Sequence, residues 1–285
     1  MLAFDDARLT LPDGAEGLRL QVTGGIAALH KAPKDGAVQV SQLLHGETLR
    51  LHHEERGFAL VQCETDRYVG WARVGKLAAS VIEPTHRVRV ARLHAYAEPK
   101  VTATPNVLLG MGARLTSAGE DDGAYHRFER VGWIAKHLVA PIDTFETDPA
   151  TVAEQFIGTP YLWGGRDCYG IDCSGLIQIA FGACGVACPR DSDMQQAWFG
   201  AAISDWRHPG TLQRNDLIFW NGHVGLLLDA ETLLHSNGTF MTTMAEPLAP
   251  AIERIAKEYG EPLEARRVDL SKAVGVVPDW LTAQV

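Results

Sequence analysis

The sequence predicts an α+β protein: two small β-barrels, followed by a larger domain that combines helices with an antiparallel sheet. The first half contains a degenerate repeat, each copy consists of short strand-like segments with glycine turns, and helical patterns precede strand patterns after residue 150. A chain of 285 residues has room for two or three domains of ordinary size. We assign residues 1–80 to an N-terminal arm and the first barrel, 81–140 to the second barrel, 141–150 to a linker and 151–285 to the larger domain.

The repeat is carried by a Val-Gly-Trp segment that occurs twice in the first half. Residues 69–72 (VGWA) recur as residues 131–134 (VGWI), and a Leu-His pair followed by Pro-Lys precedes both copies. Two copies are too few for a solenoid, so the repeat indicates a tandem of small domains. Roughly 60 residues of short strands and glycine turns per copy are typical of a small closed barrel.

The second half changes to helical spacing first and strand patterns later. Asp148 and Pro149 form a helix start signal, and Asn221-Gly222 predicts a tight hairpin turn because this pair supplies positive φ angles. We predict helices at residues 151–157, 173–183 and 251–259, and strands at residues 217–220, 223–228 and 233–236.

The charge is unevenly distributed. The chain carries 26 basic and 35 acidic residues, and the whole excess of nine negative charges falls after residue 145. Neither half has the basic surplus that a nucleic acid or an anionic membrane surface selects, so we expect neither partner.

The termini and apolar runs indicate a cytoplasmic protein. No run of 18 apolar residues occurs, so the sequence predicts no membrane-spanning helix. Asp5 and Asp6 stand where a secretory signal would place Lys or Arg. The alternative is a periplasmic or secreted protein from which a leader has been removed.

The five cysteines are an odd number in a chain that is large enough to fold without disulfides. Cys184 and Cys188 are close in sequence, but no second pair at zinc-site spacing accompanies them. We interpret them as small buried apolar residues, and we expect no metal and no cofactor.

Cys173 is the candidate nucleophile. A glycine-rich loop in residues 160–172 delivers it to the first turn of an apolar helix, where free N–H groups and the helix dipole favour an anion. We therefore expect a depressed pKa for this thiol, with the small neighbours Ser174 and Gly175 leaving room for a substrate.

Two of the three histidines in the second half are placed to assist Cys173. His223 opens a strand after the Asn-Gly turn and His235 lies on the next strand, whereas His208 lies in a predicted loop. Adjacent antiparallel strands place side chains about 5 Å apart. His223 is thus the candidate base and His235 the group that orients it.

Each of these residues also has a structural interpretation. A cysteine at a helix start or a histidine on a strand is commonly structural, and Asp172 is a typical N-cap. A metal site from Cys173, His223, His235 and Asp172 is conceivable, although the spacing matches no common zinc pattern.

The motifs resemble those of the NlpC-type papain-like cysteine peptidases of bacteria, which cleave cell-wall peptides. The matching segments are Pro-Tyr-Leu-Trp-Gly-Gly at residues 160–165, Asp-Cys-Ser-Gly-Leu at 172–176, His-Val-Gly at 223–225 and Leu-His-Ser at 234–236. The repeat looks like two bacterial SH3-like barrels. The combination is similar to the subgroup acting as γ-D-glutamyl-L-diamino-acid peptidases (dipeptidyl-peptidase VI type).

The resemblance implies a role for each matching residue. Cys173 attacks the carbonyl of the γ-linked D-Glu, His223 relays the proton, His235 holds the tautomer of His223, and the backbone N–H of Cys173 contributes to an oxyanion hole. The residues implied to bind substrate are Asp172, Ser174, Tyr161, Trp163, Asp191 and Ser192, together with Glu47 and Tyr68 of the first barrel, which wall off the site.

Two positions depart from the family pattern. Asn215 stands before Asp216 where the family usually has glycine, and His45 replaces a residue that is often aromatic.

From the resemblance we expect a monomeric hydrolase that cleaves the γ-D-glutamyl bond to Lys or meso-diaminopimelate in peptides with a free N-terminal L-Ala, during cell-wall peptide recycling. The alternatives are a wall-lytic endopeptidase anchored by its barrels, and a non-hydrolytic binder or acyltransferase on the same scaffold. The acidic second half suits a substrate that ends in an ammonium group.

Overall fold

The computed structural model describes residues 4–11 and 17–282. One compact unit begins at Phe4 and ends at Thr144, and a second begins at Phe145. Residues 1–3, 12–16 and 283–285, which belong to the predicted domains 1–80 and 151–285, lie outside the described residues.

The first copy of the repeat forms one sheet. Within the described part of residues 17–80, seven strands pair in the order β3-β2-β6-β5-β4-β1-β7. They are β1 (Arg19–Val22), β2 (Ile26–His30), β3 (Gln39–Leu44), β4 (Thr48–Glu55), β5 (Phe58–Cys63), β6 (Val69–Arg73) and β7 (Leu77–Ala78).

The second copy forms two smaller sheets around its own apolar core, which includes Leu93, Leu109, Phe128 and Ile134. The sheet orders are β10-β9-β14-β13-β12 and β11-β8-β15. The strands are β8 (His86–Val88), β9 (Arg92–Tyr96), β10 (Pro105–Gly110), β11 (Arg114–Leu115), β12 (Ser117–Asp122), β13 (Tyr125–Phe128), β14 (Gly132–Ala135) and β15 (Val139–Pro141).

The sequence repeat is also a structural repeat. In each copy the Val-Gly-Trp strand runs into one turn of 3-10 helix, Val74–Lys76 or Lys136–Leu138, and then into a short closing strand. The backbone angles of the residue before each turn agree, with φ −64° and ψ 125° in one copy and φ −66° and ψ 126° in the other. The two copies thus share a local conformation, and the division of residues 1–140 into two barrels stays a prediction.

The second unit packs helices against one antiparallel sheet with the order β18-β23-β19-β20-β21-β22. Helix α2 contacts β20, β21 and helix α1. The elements are α1 (Pro149–Glu154), β16 (Arg166–Asp167), β17 (Gly170–Ile171), α2 (Cys173–Ala183), α3 (Ser192–Trp198), β18 (Ala201–Ala202), β19 (Leu217–Trp220), β20 (His223–Leu227), β21 (Thr232–Asn237), β22 (Thr242–Pro247), α4 (Leu248–Tyr259), β23 (Glu264–Arg267), α5 (Leu270–Ala273) and α6 (Asp279–Thr282). The predicted α+β class is confirmed.

Some predicted boundaries are wrong for local reasons. Helix α1 begins at Pro149 rather than at residue 151 and ends at Glu154, before Gly158 with φ 86°. Helix α4 begins at Leu248 rather than at residue 251, because Pro250 lies in its first turn, where no N–H is needed. In the hairpin turn only Gly222, with φ 81°, has a positive φ angle, and Asn221 does not.

Asn215 takes over the backbone role of the glycine that the family pattern leads one to expect. Its φ is 73°, in the left-handed region that side chains other than Asn and Asp rarely adopt. Its side-chain oxygen accepts from the Ala150 N–H and its amide donates to Asp148, both at 2.8 Å. Asn215 thus joins the start of helix α1 to the turn that enters strand β19.

We expect Asn215→Ala to lower the free energy of unfolding by about 3 kcal/mol, because a left-handed alanine costs about 1–2 kcal/mol and two hydrogen bonds are lost. Asn215→Gly is expected to cost about half as much, since glycine keeps the backbone angle. Urea denaturation of both variants measures the difference. Equal losses in the two variants would contradict the backbone account.

Candidate active site

Cys173 is the first residue of helix α2, as predicted, and its side chain is buried with 7% exposure for the residue. The N–H groups of Val224 and Ser174 donate toward its sulfur. Since Val224 directly follows His223 on strand β20, this contact brings the thiol next to the candidate base. The helix start and the hairpin, which are separate in sequence, form one site.

Asp172 is the N-cap of helix α2, and its carboxylate is fully engaged. Oδ1 accepts from the Gly175 N–H at 2.7 Å, and Oδ2 accepts from the Gly164 N–H at 2.8 Å. Arg190 donates to Oδ1 at 3.0 Å and to Oδ2 at 2.7 Å. This two-point ion pair is buried, with side-chain exposures of 1% for Arg190 and 9% for Asp172. The carboxylate caps the nucleophile helix and fixes the loop that precedes it.

Arg190 also links residues 189–195 to helix α2, which carries Cys173. Arg190 also donates to Ser174 Oγ at 2.9 Å, and the Gln195 amide donates to the Ser174 carbonyl oxygen at 2.9 Å. Asp191, in the N-cap position of α3, and Ser192, its first residue, therefore lie on a segment anchored beside Cys173. Arg190, which directly precedes Asp191 in the sequence, is a functional residue that the sequence alone did not predict.

Gly175 has a different purpose from the one the sequence suggested. A Cβ at this position would lie 2.2 Å from the carbonyl oxygen of Gly165. Its small size lets the helix start pack on the glycine-rich loop, and the expectation that it leaves room for a substrate is wrong.

The two histidines are neighbours, as predicted. His223 Nε2 lies 2.8 Å from His235 Nδ1, and the ring centroids are 5.0 Å apart. Strands β20 and β21 pair Leu226 with Leu234, a register that places the two imidazoles diagonally rather than directly opposite each other. The missing side chain of Gly225 makes room for Leu233, since a Cβ at this position would lie 2.5 Å from Leu233 Cδ1.

The expected depressed pKa of Cys173 is wrong. Burial raises the pKa of the thiol to about 12, the negative charge of Asp172 adds to this, and the two N–H donors offset only part of it. Burial also lowers the pKa of His223 to about 3, with further contributions from His235 and Arg254. The resting pair is a neutral thiol and a neutral imidazole, so the proton must move to His223 as the sulfur attacks.

Three residues that sequence reasoning missed complete the surroundings of the histidines. Glu246 Oε1 lies 2.7 Å from His235 Nε2, and Arg254 forms an ion pair with the same carboxylate. Tyr259 stacks on His223 with ring centroids 5.6 Å apart and an interplanar angle of 30°. Glu246 lies on β22, and Arg254 and Tyr259 lie on α4. None of the three belongs to a sequence motif that indicates an active site.

The other predicted substrate-binding residues are distributed over both units. Tyr161 is half-buried, and its pKa is raised by burial and by the neighbouring Cys173 and Asp172. Trp163 is 64% exposed. In the first unit, Glu47 accepts from the Leu44 N–H at 2.8 Å, and Tyr68 is buried. The substrate-binding roles of these four residues stay predictions.

The cysteines other than Cys173 are all buried, as expected for packing residues. In the described ranges, no group of three or more His, Cys, Asp and Glu side chains could hold a metal ion. None of the described helices is both long enough and apolar enough to cross a membrane.

A buried thiol at a helix start, with a base and an orienting histidine on adjacent strands, defines a papain-like cysteine peptidase site. Comparison with known families agrees: residues 158–252 match the NlpC/P60 family, and residues 29–77 match the bacterial dipeptidyl-peptidase Sh3 domain. The chain carries an NlpC/P60 cysteine peptidase domain preceded by an SH3 domain of the bacterial dipeptidyl-peptidase type.

Similar proteins extend this result. Dipeptidyl-peptidase 6 of Lysinibacillus sphaericus is 26% identical over 234 residues, which are 74% of this chain and 85% of that protein. The gamma-D-glutamyl-L-lysine dipeptidyl-peptidase of Bacillus subtilis is 37% identical over 93 residues, 30% of this chain and 29% of that one. In fold, a crystal structure of an NlpC/P60 family protein from Bacillus cereus covers 87% of this chain and 99% of its own, with a TM-score of 0.72 at 20% identity. The protein is a hydrolase that carries an NlpC/P60 domain, and its similarity to proteins named dipeptidyl-peptidases bears on the function proposed below.

We expect Arg190→Met to lower the free energy of unfolding by about 3–5 kcal/mol, because it leaves the Asp172 carboxylate buried without its counter-charge. Adding Asp172→Asn is expected to recover part of the loss, since the unpaired charge is then gone. Urea denaturation measures both effects, with Lys272→Met in an exposed ion pair as a control that leaves the midpoint unchanged. A single variant as stable as wild type would contradict the role of the pair.

We expect the neutral, buried His223 to make the protein lose stability as pH falls from about 6.5 to about 3, its lowered pKa. In that window the unfolded chain binds a proton at His223 and the folded chain does not, so acid favours unfolding. His223→Gln should make the slope of unfolding free energy against pH shallower by up to about 1.4 kcal/mol per pH unit. The exposed His208→Gln is the control; equal slopes in His223→Gln and wild type would show that burial does not keep His223 neutral.

Proposed function

We propose that this protein hydrolyses the γ-D-glutamyl-L-diamino-acid bond, to Lys or meso-diaminopimelate, of peptidoglycan-derived peptides with a free N-terminal L-Ala. The observation that carries the proposal is the buried Cys173 beside a hydrogen-bonded His223–His235 pair, in a chain that also matches the dipeptidyl-peptidase Sh3 domain. Two similar proteins named for dipeptidyl-peptidase activity support this choice of bond.

The proposed reaction follows from the neutral resting pair. As the Cys173 sulfur attacks the γ-carbonyl carbon of D-Glu, His223 takes the thiol proton, and the backbone N–H of Cys173 contributes to stabilising the oxyanion. The C–N bond then breaks, and His223 gives its proton to the leaving amine. Water, deprotonated by His223, cleaves the thioester and releases L-Ala-γ-D-Glu.

For the substrate amine, the contacts of Asp172 favour Asp191 as the main ionic partner. Asp172 already accepts from two backbone N–H groups and a bidentate arginine, so its charge is neutralised inside the protein. Asp191 lies on the anchored segment beside the nucleophile and is only partly buried. We propose that Asp191 pairs with the ammonium group, while Ser192, Ser174, Tyr161 and Trp163 line the same pocket.

We also propose that the enzyme acts as a monomer in the cytoplasm, where wall peptides that have been taken up are recycled. A peptidase that requires a free amine suits this task, because cross-linked wall carries its L-Ala amino group in amide linkage. The negative net charge of the second half would attract the positively charged amino end of such a substrate.

The experiment compares L-Ala-γ-D-Glu-L-Lys and its diaminopimelate analogue with the same peptides acetylated on L-Ala and with intact peptidoglycan. We expect cleavage of the free-amine peptides and at least a 100-fold loss of kcat/KM on acetylation, since the acetylated nitrogen carries no charge to pair with the Asp191 carboxylate. Asp191→Asn should remove most of that discrimination. Efficient release of peptides from intact peptidoglycan, with free peptides left uncleaved, would instead favour the wall-lytic endopeptidase.

Cys173→Ala separates both hydrolases from a non-hydrolytic binder. We expect the variant to retain peptide binding in calorimetry and to lose product formation completely. A wild type that binds the peptides and forms no product, or that transfers the acyl group to an added amine in preference to water, would contradict hydrolysis.

A further inference from the structure

A chain of hydrogen bonds links the two active-site histidines to the carboxylate of Glu246. From His223 the hydrogen-bonded path runs through His235 to Glu246, with nitrogen–nitrogen and nitrogen–oxygen distances of 2.8 and 2.7 Å. His235 is fully buried and the Glu246 side chain is 13% exposed. The path is therefore largely shielded from water.

Glu246 is held in place and kept ionised by its neighbours. Its pKa is lowered, first by the hydrogen bond and the charge of His235 and then by the charge of Arg254, while burial opposes the shift. Arg254 forms an ion pair with the same oxygen that faces His235. An ionised carboxylate only accepts hydrogen bonds, so it requires a proton on His235 Nε2.

One neighbouring group competes for His235 Nε2. The Asn237 side-chain nitrogen lies 3.3 Å from it, and its orientation is fixed because the Asn237 oxygen accepts from the Phe240 N–H at 2.9 Å. That amide also has the Thr242 carbonyl oxygen as an acceptor, at 3.5 Å. The carboxylate contact is shorter and charge-assisted, so it determines where the proton lies.

The remaining protons follow in sequence. With the proton on Nε2, His235 Nδ1 has a free lone pair and accepts from His223 Nε2. His223 then carries its proton on Nε2, and its Nδ1 is the bare nitrogen that can take the proton from Cys173. The direction of the whole chain is set at the carboxylate end.

We propose that Glu246 is a positioning residue that fixes the tautomers of both histidines and so makes His223 Nδ1 the base. This inference rests on the proposed roles of Cys173 and His223. Glu246 touches neither substrate nor sulfur and acts through His235. When His223 becomes an imidazolium, the carboxylate at the far end of the chain also offsets its charge.

The tautomers can be read directly by NMR on the full chain labelled with 15N-histidine. We expect both His223 and His235 to carry their proton on Nε2 in the wild type. In Glu246→Leu, His235 should place its proton on Nδ1 in a measurable fraction of molecules. A wild-type His235 protonated on Nδ1 would overturn the proposal.

The kinetic test separates positioning from a structural effect. We expect Glu246→Leu to lower kcat about 100-fold with KM within about twofold, because a base in the wrong tautomer fails only in the chemical step. The kcat of Glu246→Gln should lie between those of the wild type and Glu246→Leu, since the glutamine carbonyl oxygen accepts the same hydrogen bond but carries no charge. The exposed Glu253→Leu is the control for loss of an acid on this side of the domain.

A double-mutant cycle with His235→Asn completes the test. If Glu246 acts through His235, Glu246→Leu has no further effect in the His235→Asn background, whereas multiplicative losses would contradict the proposal. The same double-mutant cycle can be measured without a peptide substrate, from the rate at which iodoacetamide alkylates Cys173 in each variant. If the peptides prove not to be substrates, the proposed function fails, while the NMR and alkylation results still decide the role of Glu246.

Discussion

The active site depends on the buried ion pair between Asp172 and Arg190. One carboxylate caps helix α2, receives the glycine-rich loop through the Gly164 N–H, and neutralises the arginine that anchors residues 189–195. Cys173 follows directly on Asp172, so the position of its sulfur is determined by this pair. A buried carboxylate and guanidinium are costly to desolvate, and the complete set of hydrogen bonds is what makes the arrangement stable.

The chemistry follows from burial more than from the helix dipole. A thiol at a helix start is usually expected to ionise easily, yet here desolvation and the adjacent Asp172 raise its pKa to about 12. A neutral thiol is unreactive until a base removes its proton, which gives the orientation of His223 a larger role than it has where a thiolate is already present. The hydrogen bond to His235 and the stacked ring of Tyr259 both restrict that orientation.

Local patterns predicted much of this structure. The Gly-rich loop before Cys173, the helix that follows and the hairpin bearing His223 are encoded within short windows, and the barrel repeat is visible as a repeated Val-Gly-Trp segment. Glu246, Arg254 and Tyr259 could not be predicted in the same way. They reach the histidines because β22 pairs with β21 and α4 follows it, and no periodicity or spacing in the sequence reports that tertiary contact. The predicted low pKa of Cys173 is wrong for the same reason, since the burial of a side chain depends on tertiary packing that the local sequence does not show.

The central claim is that Cys173 forms a thioester with the L-Ala-γ-D-Glu acyl group while His223 serves as its base. The most direct measurement is intact-protein mass spectrometry after rapid acid quenching of the enzyme with an L-Ala-γ-D-Glu anilide. The predicted result is one added L-Ala-γ-D-Glu acyl group, located on Cys173 by peptide mapping and absent in His223→Ala. An adduct on another residue, or rapid turnover with Cys173 replaced by alanine, would contradict the account.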